Sequence, residues 1–542
     1  MSELDLVGPP LLLDQFRDWA ATASEAAALI YFDTVLSVAA LDAATDALAA
    51  GLQADGLWPG DRVALYLQNM PQYVIALLAT WKAGGIAVAI NPMLTPAEVA
   101  KLLADSTPRV VIALDELCTD ECMGVFTAAS VGLVVSTSPL DWADAVDPRV
   151  LDGRCRTVPD GAVDLGDYLR QWAGHSPELV VLEADATAVI TYTSGTTGVP
   201  KGALNTHRNI AFGARTYVRS FELGCGDIVL GVAPLFHVTG LSGHIACAMS
   251  ARAPLMLCYR FHAGMVVDLI RRHGVTFTVG ALTVFIALTE ALIETESHGD
   301  RRLPTLTKVA SGGAPVAPAV VDRFETAFGP YIRNVYGMTE TTAPVFVVPN
   351  LSRAPQEQRT GALSVGKAVE GVEARVLDDH GHAVPPGVVG EIALRGPQIV
   401  PGYWRNPGAT TEVWSDGWLL TGDVGYVDDH GWFFLVDRKK DVIIAAGYKV
   451  WPREVEDVLY AHEAVLEAAV IGRPDLYRGE TVTAFVSFRA GIMVEPEDLV
   501  SFCRQRLAAY KCPRQIEVVE SIPKTATGKV MRRILRNDPA SR

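Results

Sequence analysis

The sequence predicts an α/β protein, with a large N-terminal domain of doubly wound sheets (residues 1–437) joined by a hinge to a small α+β domain (residues 438–542). Three observations predict it. From Arg62 onward, apolar segments alternate as strand, helix and strand; an apolar run, ATAVITYT, feeds a glycine-rich stretch; and beyond DRKKD (Asp437 to Asp441) the texture changes to a compact series of short elements.

In order, VALYLQN reads as a strand, PQYVIALLATWKAGG as a helix closed by glycines, and IAVAI as a second strand. TPAEVAKLLADS opens with Thr95 and Glu98 in a capping-box pattern, with Pro96 in the first turn, and RVVIAL follows as a strand. Such repetition argues for a parallel sheet. Leu140 to Leu179 scatters Asp, Pro and Gly and reads as a surface excursion; alternation then resumes after Asp185 and is expected to run to about Val436. In the small domain the expected elements are a helix from Pro452 to Ala461, strands around AVLEAAVIG and ETVTAFVSF, and a helix across DLVSFCRQRLAAY.

The chain has 542 residues, 49% of them hydrophobic, which is material for more than one core. Its 46 basic and 62 acidic residues give a net charge of −16, unfavourable for nucleic acid or anionic lipid. The start, MSELDLVGPPLLL, carries acids where a secretion signal needs basic residues, and the longest apolar run, GVTFTVGALTVFIAL, falls short of the roughly 20 residues of a spanning helix. A cytoplasmic protein without integral membrane association is expected. The eight cysteines are too scattered for a disulfide framework, and Cys118 and Cys122 have no second ligand pair, so free thiols are expected.

YTSGTTGVPKG (Tyr192 to Gly202) holds three glycines, hydroxyl side chains and Lys201 behind a proline. Glycines without Cβ let successive N–H groups converge on an anion, and the hydroxyls add uncharged donors; a phosphate chain is the natural guest. The pattern is not that of a P-loop NTPase, since Gly198 is followed by Val-Pro instead of Lys-Ser/Thr. The stretch itself is expected to pair with no strand and to sit at the carboxyl end of the strand before it, where open α/β sheets bind ligands.

The stretch resembles the phosphate-binding loop of adenylate-forming enzymes, the superfamily of acyl-CoA synthetases, luciferases and nonribosomal adenylation domains. Further motifs follow in that family's order: PLFHVTG, SGGAP, YGMTE, GEIALRGPQIVPGYW, WLLTGD, DRKKD, GYKVWPREVE and PKTATGKVMRR. The likeness spans about residue 30 to nearly the end, closest to bacterial medium- or long-chain fatty-acid–CoA ligases.

The resemblance implies ATP, Mg²⁺ and coenzyme A as the small molecules bound. Thr193, Ser194, Gly195, Thr196, Thr197, Gly198 and Lys201 would cradle phosphate, and Gly313 and Ala314 of SGGAP would let backbone approach the nucleotide. Tyr336 would stack near adenine with Gly337 beside it, Thr339 would touch phosphate, and Glu340 would hold Mg²⁺, for which a carboxylate oxygen is the preferred ligand type. Asp423, read as the end of an apolar strand, would accept from the ribose hydroxyls, joined by Arg438. His237 would lie at the acyl pocket, Lys440 at the hinge, Gly447 and Lys449 on the face used for thiol transfer, and Lys529 would bring a cation to carboxylate and phosphate. Some relatives carry a lysine just before GYK; here the segment reads DVIIAAG, which casts doubt on a side-chain role there in the thioester step.

A carboxylate is a poor acylating agent until AMP is attached to it, so the implied reaction is adenylate formation followed by attack of the CoA thiol, with catalysis by placed cations and backbone donors. Amino-acid-activating members place an aspartate where this chain has His237, and GLSGHIACAMS, TVGALTVFIAL and TETTAPVF are almost uncharged, which suits a fatty acid. An aryl or cinnamate-type acid is the alternative, and a nucleotide-binding regulator without turnover the reading from another class. The partners expected are small molecules, a carboxylic acid with ATP and CoA, with no nucleic acid and with a homodimer left open.

Overall fold

A computed structural model describes residues 11–193, 200–294, 303–313, 316–342, 344–357, 362–438, 441–445, 448–475, 479–525 and 530–537. Seven strands form the first sheet, in the spatial order Val163–Asp164, Leu133–Thr137, Val110–Leu114, Arg62–Tyr66, Ile86–Ala89, Thr187–Thr193 and Lys201–Thr206. All neighbours are parallel except the last pair. Two of the crossovers, Pro71–Lys82 and Pro96–Ser106, are the helices the sequence predicts; a third, Asp120–Ala128, was not foreseen. Pro71–Lys82 is buried on every side, and Pro96–Ser106 begins with Glu98 accepting from both the N–H and the hydroxyl of Thr95.

The second sheet has nine strands, parallel through its middle and antiparallel at its edges, and shares one large core with the first. In this core the indole of Trp81 donates to the Ala188 carbonyl (3.0 Å), tying the buried helix to the strand that leads into the glycine-rich stretch.

Two expectations are corrected. Residues 140–179 are not a surface excursion: they contain the strand Val163–Asp164 and the helices Pro148–Leu151 and Leu165–Gln171, and Leu151, Leu165 and Tyr168 join the main core. The Asp and Pro that read as loop are caps: Asp147 and Asp164 accept from the N–H groups of Arg149 and Asp167, and Pro148 starts a helix. Nor does alternation persist to Val436. Glu373–Leu377, Gly390–Arg395, Trp418–Val427 and Phe433–Arg438 belong to a five-stranded antiparallel sheet. Two of the connections are acidic turns without a crossover helix, Asp378 accepting from the N–H of His380 and His382, and Asp428 from those of His430 and Trp432. The one between Gly390–Arg395 and Trp418–Val427 carries the helix Pro407–Val413 yet returns antiparallel.

The smaller C-terminal domain folds on its own core. Its mostly antiparallel sheet is built on the long pair Val465–Asp475 and Gly479–Phe488 and packed by Pro452–Tyr460 and Pro496–Arg504. The second helix stops short of the expected Tyr510 because the chain must reverse before Pro513 to enter strand Gln515–Val518. All eight cysteines are free thiols, six of them buried. Among the described residues no helix is long and apolar enough to cross a membrane.

Candidate active site

Strand Thr187–Thr193 is buried along its middle because it is apolar on both faces, and it delivers the glycine-rich stretch to its carboxyl end. Residues Ser194, Gly195, Thr196, Thr197 and Gly198 lie outside the described residues. The ends of the stretch do pair, contrary to expectation: Tyr192 stands opposite Gly202 and Thr193 opposite Lys201, so strands Thr187–Thr193 and Lys201–Thr206 are the two arms of a β-hairpin. A Cβ on Gly202 would lie 2.7 Å from Cγ2 of Ile190, which is why glycine holds that place.

The PGYW segment lies along the outer side of this hairpin. Trp404 N–H donates to the Gly202 carbonyl (2.7 Å), Leu204 N–H to the Gly402 carbonyl (3.1 Å), and Ala203 and Tyr403 form a β-bridge. Asp105, at the end of a crossover helix, fastens both pieces: its carboxylate accepts from the Tyr192 hydroxyl (2.5 Å) and its carbonyl from the Trp404 indole (3.1 Å). Burial, then the neighbouring Asp105 carboxylate, raises the Tyr192 pKa, so the phenol is the donor.

Beside the hairpin, strand Ile332–Tyr336 ends in the YGMTE turn. Glu340 is only 7% exposed, and its Oε1 accepts from the Tyr403 hydroxyl at 2.6 Å. Burial first, then the Glu340 carboxylate, raises the Tyr403 pKa. Asn205, on the strand leaving the hairpin, donates to the Thr339 carbonyl (3.2 Å) and the Thr342 hydroxyl (2.9 Å), while Ser242 donates to the Thr342 carbonyl. The turn from Thr339 to Thr342 is therefore held from three sides, by Asn205, Ser242 and Tyr403.

Tyr336 stacks on Phe346, and its hydroxyl donates to Oδ2 of Asp423 (2.7 Å). Asp423 lies within strand Trp418–Val427 and not at its end, the reverse of the expectation, because the strand runs on through Gly422 and Gly425 into Val427. It pairs in register with Arg438, whose side chain lies outside the described set. Ser311, at the end of strand Lys308–Ser311, neighbours Asn334; Gly312 has no room for a Cβ against the Val335 carbonyl (2.7 Å), and Gly313 has φ +80°. Ala314 lies outside the described residues. Gly280, Ser311 and Tyr336 thus end adjacent parallel strands on one side, the edge where such sheets take ligands.

Lys201 does not stand apart: its Nζ lies 5.4 Å from the centre of the Tyr403 ring and 3.5 Å from Oε2 of Glu412. His237 caps a short helical turn, its Nδ1 accepting from the Thr239 N–H (3.2 Å), which leaves Nε2 with the proton of the neutral ring. Asn69 sets its height, donating to the carbonyls of Gly231 (3.0 Å) and Ala233 (2.8 Å) and accepting from Leu235 N–H (2.9 Å). His244 adds a fourth tie by accepting from Ala233 N–H (3.0 Å).

The structure thus brings together Thr193, Lys201, Thr339 and Glu340 in one cluster, and links Tyr336 to Asp423 beside it. Lys440, Gly447 and Lys529 lie outside the described residues, as does the side chain of Lys449, whose backbone is in strand Tyr448–Val450. Sequence reasoning gave no role to Tyr403, Asn205 or Asn69. The only signal was position: each is a polar residue at the edge of an apolar strand or inside a quoted motif.

The set fits a magnesium ion shared with a nucleotide. Glu340 supplies a hard carboxylate oxygen, and Mg²⁺ takes one or two such ligands beside phosphate oxygens and waters. Among the described residues no group of three or more His, Cys, Asp or Glu gathers into a cage of its own.

A glycine-rich hairpin at a sheet's carboxyl edge, a buried carboxylate under it and a following small domain define a nucleotide-binding α/β enzyme. Residues 16–404 match the family described as AMP-binding enzyme, and residues 454–529 match the AMP-binding enzyme C-terminal domain. The long-chain-fatty-acid–CoA ligase of Bacillus subtilis (strain 168) is 36% identical over 510 residues, 91% of this chain and 89% of that protein. Its namesake in Yersinia pestis is 34% identical over 546 residues, 97% and 94% of the two chains. A solved structure, the anthranilate CoA ligase AuaEII in complex with anthranoyl-AMP, superposes with a TM-score of 0.87 at 27% identity, covering 99% of this chain and 98% of that one. The chain belongs to the AMP-binding, adenylate-forming enzyme family.

Proposed function

We propose that the protein is an ATP-dependent fatty acid–CoA ligase. The observation that carries this reading is the meeting of the hairpin's exit strand, the YGMTE turn and the PGYW segment on buried Glu340. In the first step a carboxylate oxygen attacks the α-phosphorus of ATP; the new P–O bond forms as the bond to pyrophosphate breaks. In the second the CoA sulfur attacks the acyl carbon, the bond to AMP breaks, and the thiol proton passes to solvent.

The glycine-rich stretch, with Thr193 and Lys201, holds the phosphates, and Thr339 adds a hydroxyl. Glu340 orients Mg²⁺, which when bound neutralises charge on the leaving pyrophosphate. Tyr336, Gly337, Gly313 and Ala314 flank the nucleoside, while Asp423 with Arg438 takes its ribose. His237 borders the acyl carboxylate, and Lys529 brings a cation to it for adenylation. Lys440 is the hinge between domains 1–437 and 438–542, and rotation there exchanges Lys529 for the Gly447–Lys449 face.

A fatty acid is favoured by the relatives' names and by the walls expected around the acyl chain. Leu241, Ile245, Ala248, Val279, Leu282 and Phe285 are buried and apolar. The reading places the reaction in the cytoplasm, with no nucleic acid partner, and leaves a homodimer to be tested by sedimentation.

The test measures AMP, pyrophosphate and thioester together over a panel of acids. Thioester from decanoate or palmitate supports the ligase, preference for cinnamate or benzoate replaces it with an aryl-acid ligase, and no turnover with any acid replaces it with a regulator. Lys529→Ala is expected to abolish pyrophosphate release from acid and ATP, yet leave preformed acyl-adenylate able to react with CoA. Equal loss of both half-reactions would remove that role.

A further inference from the structure

We propose that Tyr403 is a positioning residue that fixes Glu340 for the metal and ties it to the exit strand of the glycine-rich hairpin. This rests on the reading of Glu340 as the Mg²⁺ carboxylate.

The bond between the two residues is shielded from water: Tyr403 is 8% and Glu340 7% exposed, and the hydroxyl stands 2.6 Å from Oε1. A phenol donating to a carboxylate is among the stronger neutral-to-charged hydrogen bonds, and burial spares it competition from solvent. With Oε1 so committed, Oε2 is the oxygen left to turn toward a ligand.

Tyr403 is in turn held at every point. Its N–H donates to the Thr410 hydroxyl (3.0 Å), its backbone bridges to Ala203, and its ring packs edge-on to Trp414 at 5.6 Å. Lys201 Nζ lies 5.4 Å from the ring centre. The backbone of Glu340 is tied to the same segment, its carbonyl accepting from Val400 N–H (2.9 Å).

One phenol therefore joins a cation from the hairpin and a carboxylate from the YGMTE turn. A glutamate with free torsions would lose rotamer entropy on taking up a metal; one already locked in place loses less and binds more tightly. Tyr403 touches neither phosphate nor acid in this role. It acts through Glu340.

The experiment uses the full-length enzyme with Mn²⁺ and an ATP analogue whose α–β bridging oxygen is replaced by carbon. Bound and free Mn²⁺ are separated by electron paramagnetic resonance. Tyr403→Phe removes one oxygen and keeps the ring; it is expected to weaken Mn²⁺ binding by about fivefold to tenfold. The Mg²⁺ concentration that half-saturates pyrophosphate release should rise in step, with KM for CoA unchanged. Glu340→Gln should weaken Mn²⁺ binding further.

Unchanged Mn²⁺ binding in Tyr403→Phe beside weakened binding in Glu340→Gln overturns the inference and leaves the Glu340 reading standing. Unchanged binding in Glu340→Gln overturns both. Should the phenylalanine variant not fold, Thr410→Val frees the Tyr403 N–H and spares the ring. It is expected to shift Mn²⁺ binding in the same direction, and no shift overturns the inference.

Discussion

Tyr336 and Asp423 come from motifs 87 residues apart, yet they share a 2.7 Å hydrogen bond and so act as one unit. Tyr336→Phe and Asp423→Asn are each expected to raise KM for ATP, and the double variant to fall short of the sum. A coupling of about 1–3 kcal/mol in the cycle checks this, and strict additivity would refute it. His207 makes a different point. Burial beside Trp81 lowers its pKa from 6.5 to about 4, and burial also lowers that of His244 to about 3. Both rings are neutral in the fold, so between those values and 6.5 the unfolded chain binds more protons. Stability is full above about pH 6.5 and is lost as pH falls toward 4, by on the order of 3 kcal/mol for His207 alone. Urea midpoints at pH 7 and pH 5 measure the loss, and His207→Gln should flatten the slope.

Among the elements, the parallel strands were legible because burial on both faces makes them continuous apolar runs, and their helices carry clear caps, as at Thr95 and Glu98. The antiparallel sheet was not, since an apolar run beside an Asp-Gly turn reads the same whether the chain returns at once or after a crossover. The site divides similarly. Lys201, Thr339, Glu340 and Asp423 lie in motifs that carry a family resemblance. Asn69 and Asn205 reach partners 162 and 137 residues away, and no local pattern encodes contacts of that span. The PLFHVTG turn gives the sharpest test of an element. A Cβ at Gly240 would stand 2.1 Å from the Pro234 carbonyl, against backbone that Asn69 and His244 already hold in place. Gly240→Ala is expected to destabilise the fold by about 3 kcal/mol or more. An unchanged urea midpoint would show that the turn can yield.

For the whole molecule, what matters is how the small domain meets the large one. Arg453 opens helix Pro452–Tyr460 and is 2% exposed; it donates to the carbonyls of Leu435 (3.0 Å) and Leu363 (3.4 Å). Arg323 donates to the Tyr460 carbonyl (3.3 Å), and Arg489 forms an ion pair with Glu290. Arg453→Met is expected to lower the stability of this arrangement by about 1–3 kcal/mol, read as faster proteolytic cleavage between the domains. Cleavage at the parental rate would show that the contact contributes nothing. A guanidinium lodged among main-chain oxygens cannot slide; it must let go of them and find water before the helix that carries it can turn. If each catalytic cycle requires that release, its tempo is governed by a latch remote from the chemistry, and heating would quicken turnover more steeply than the bond-making steps alone require.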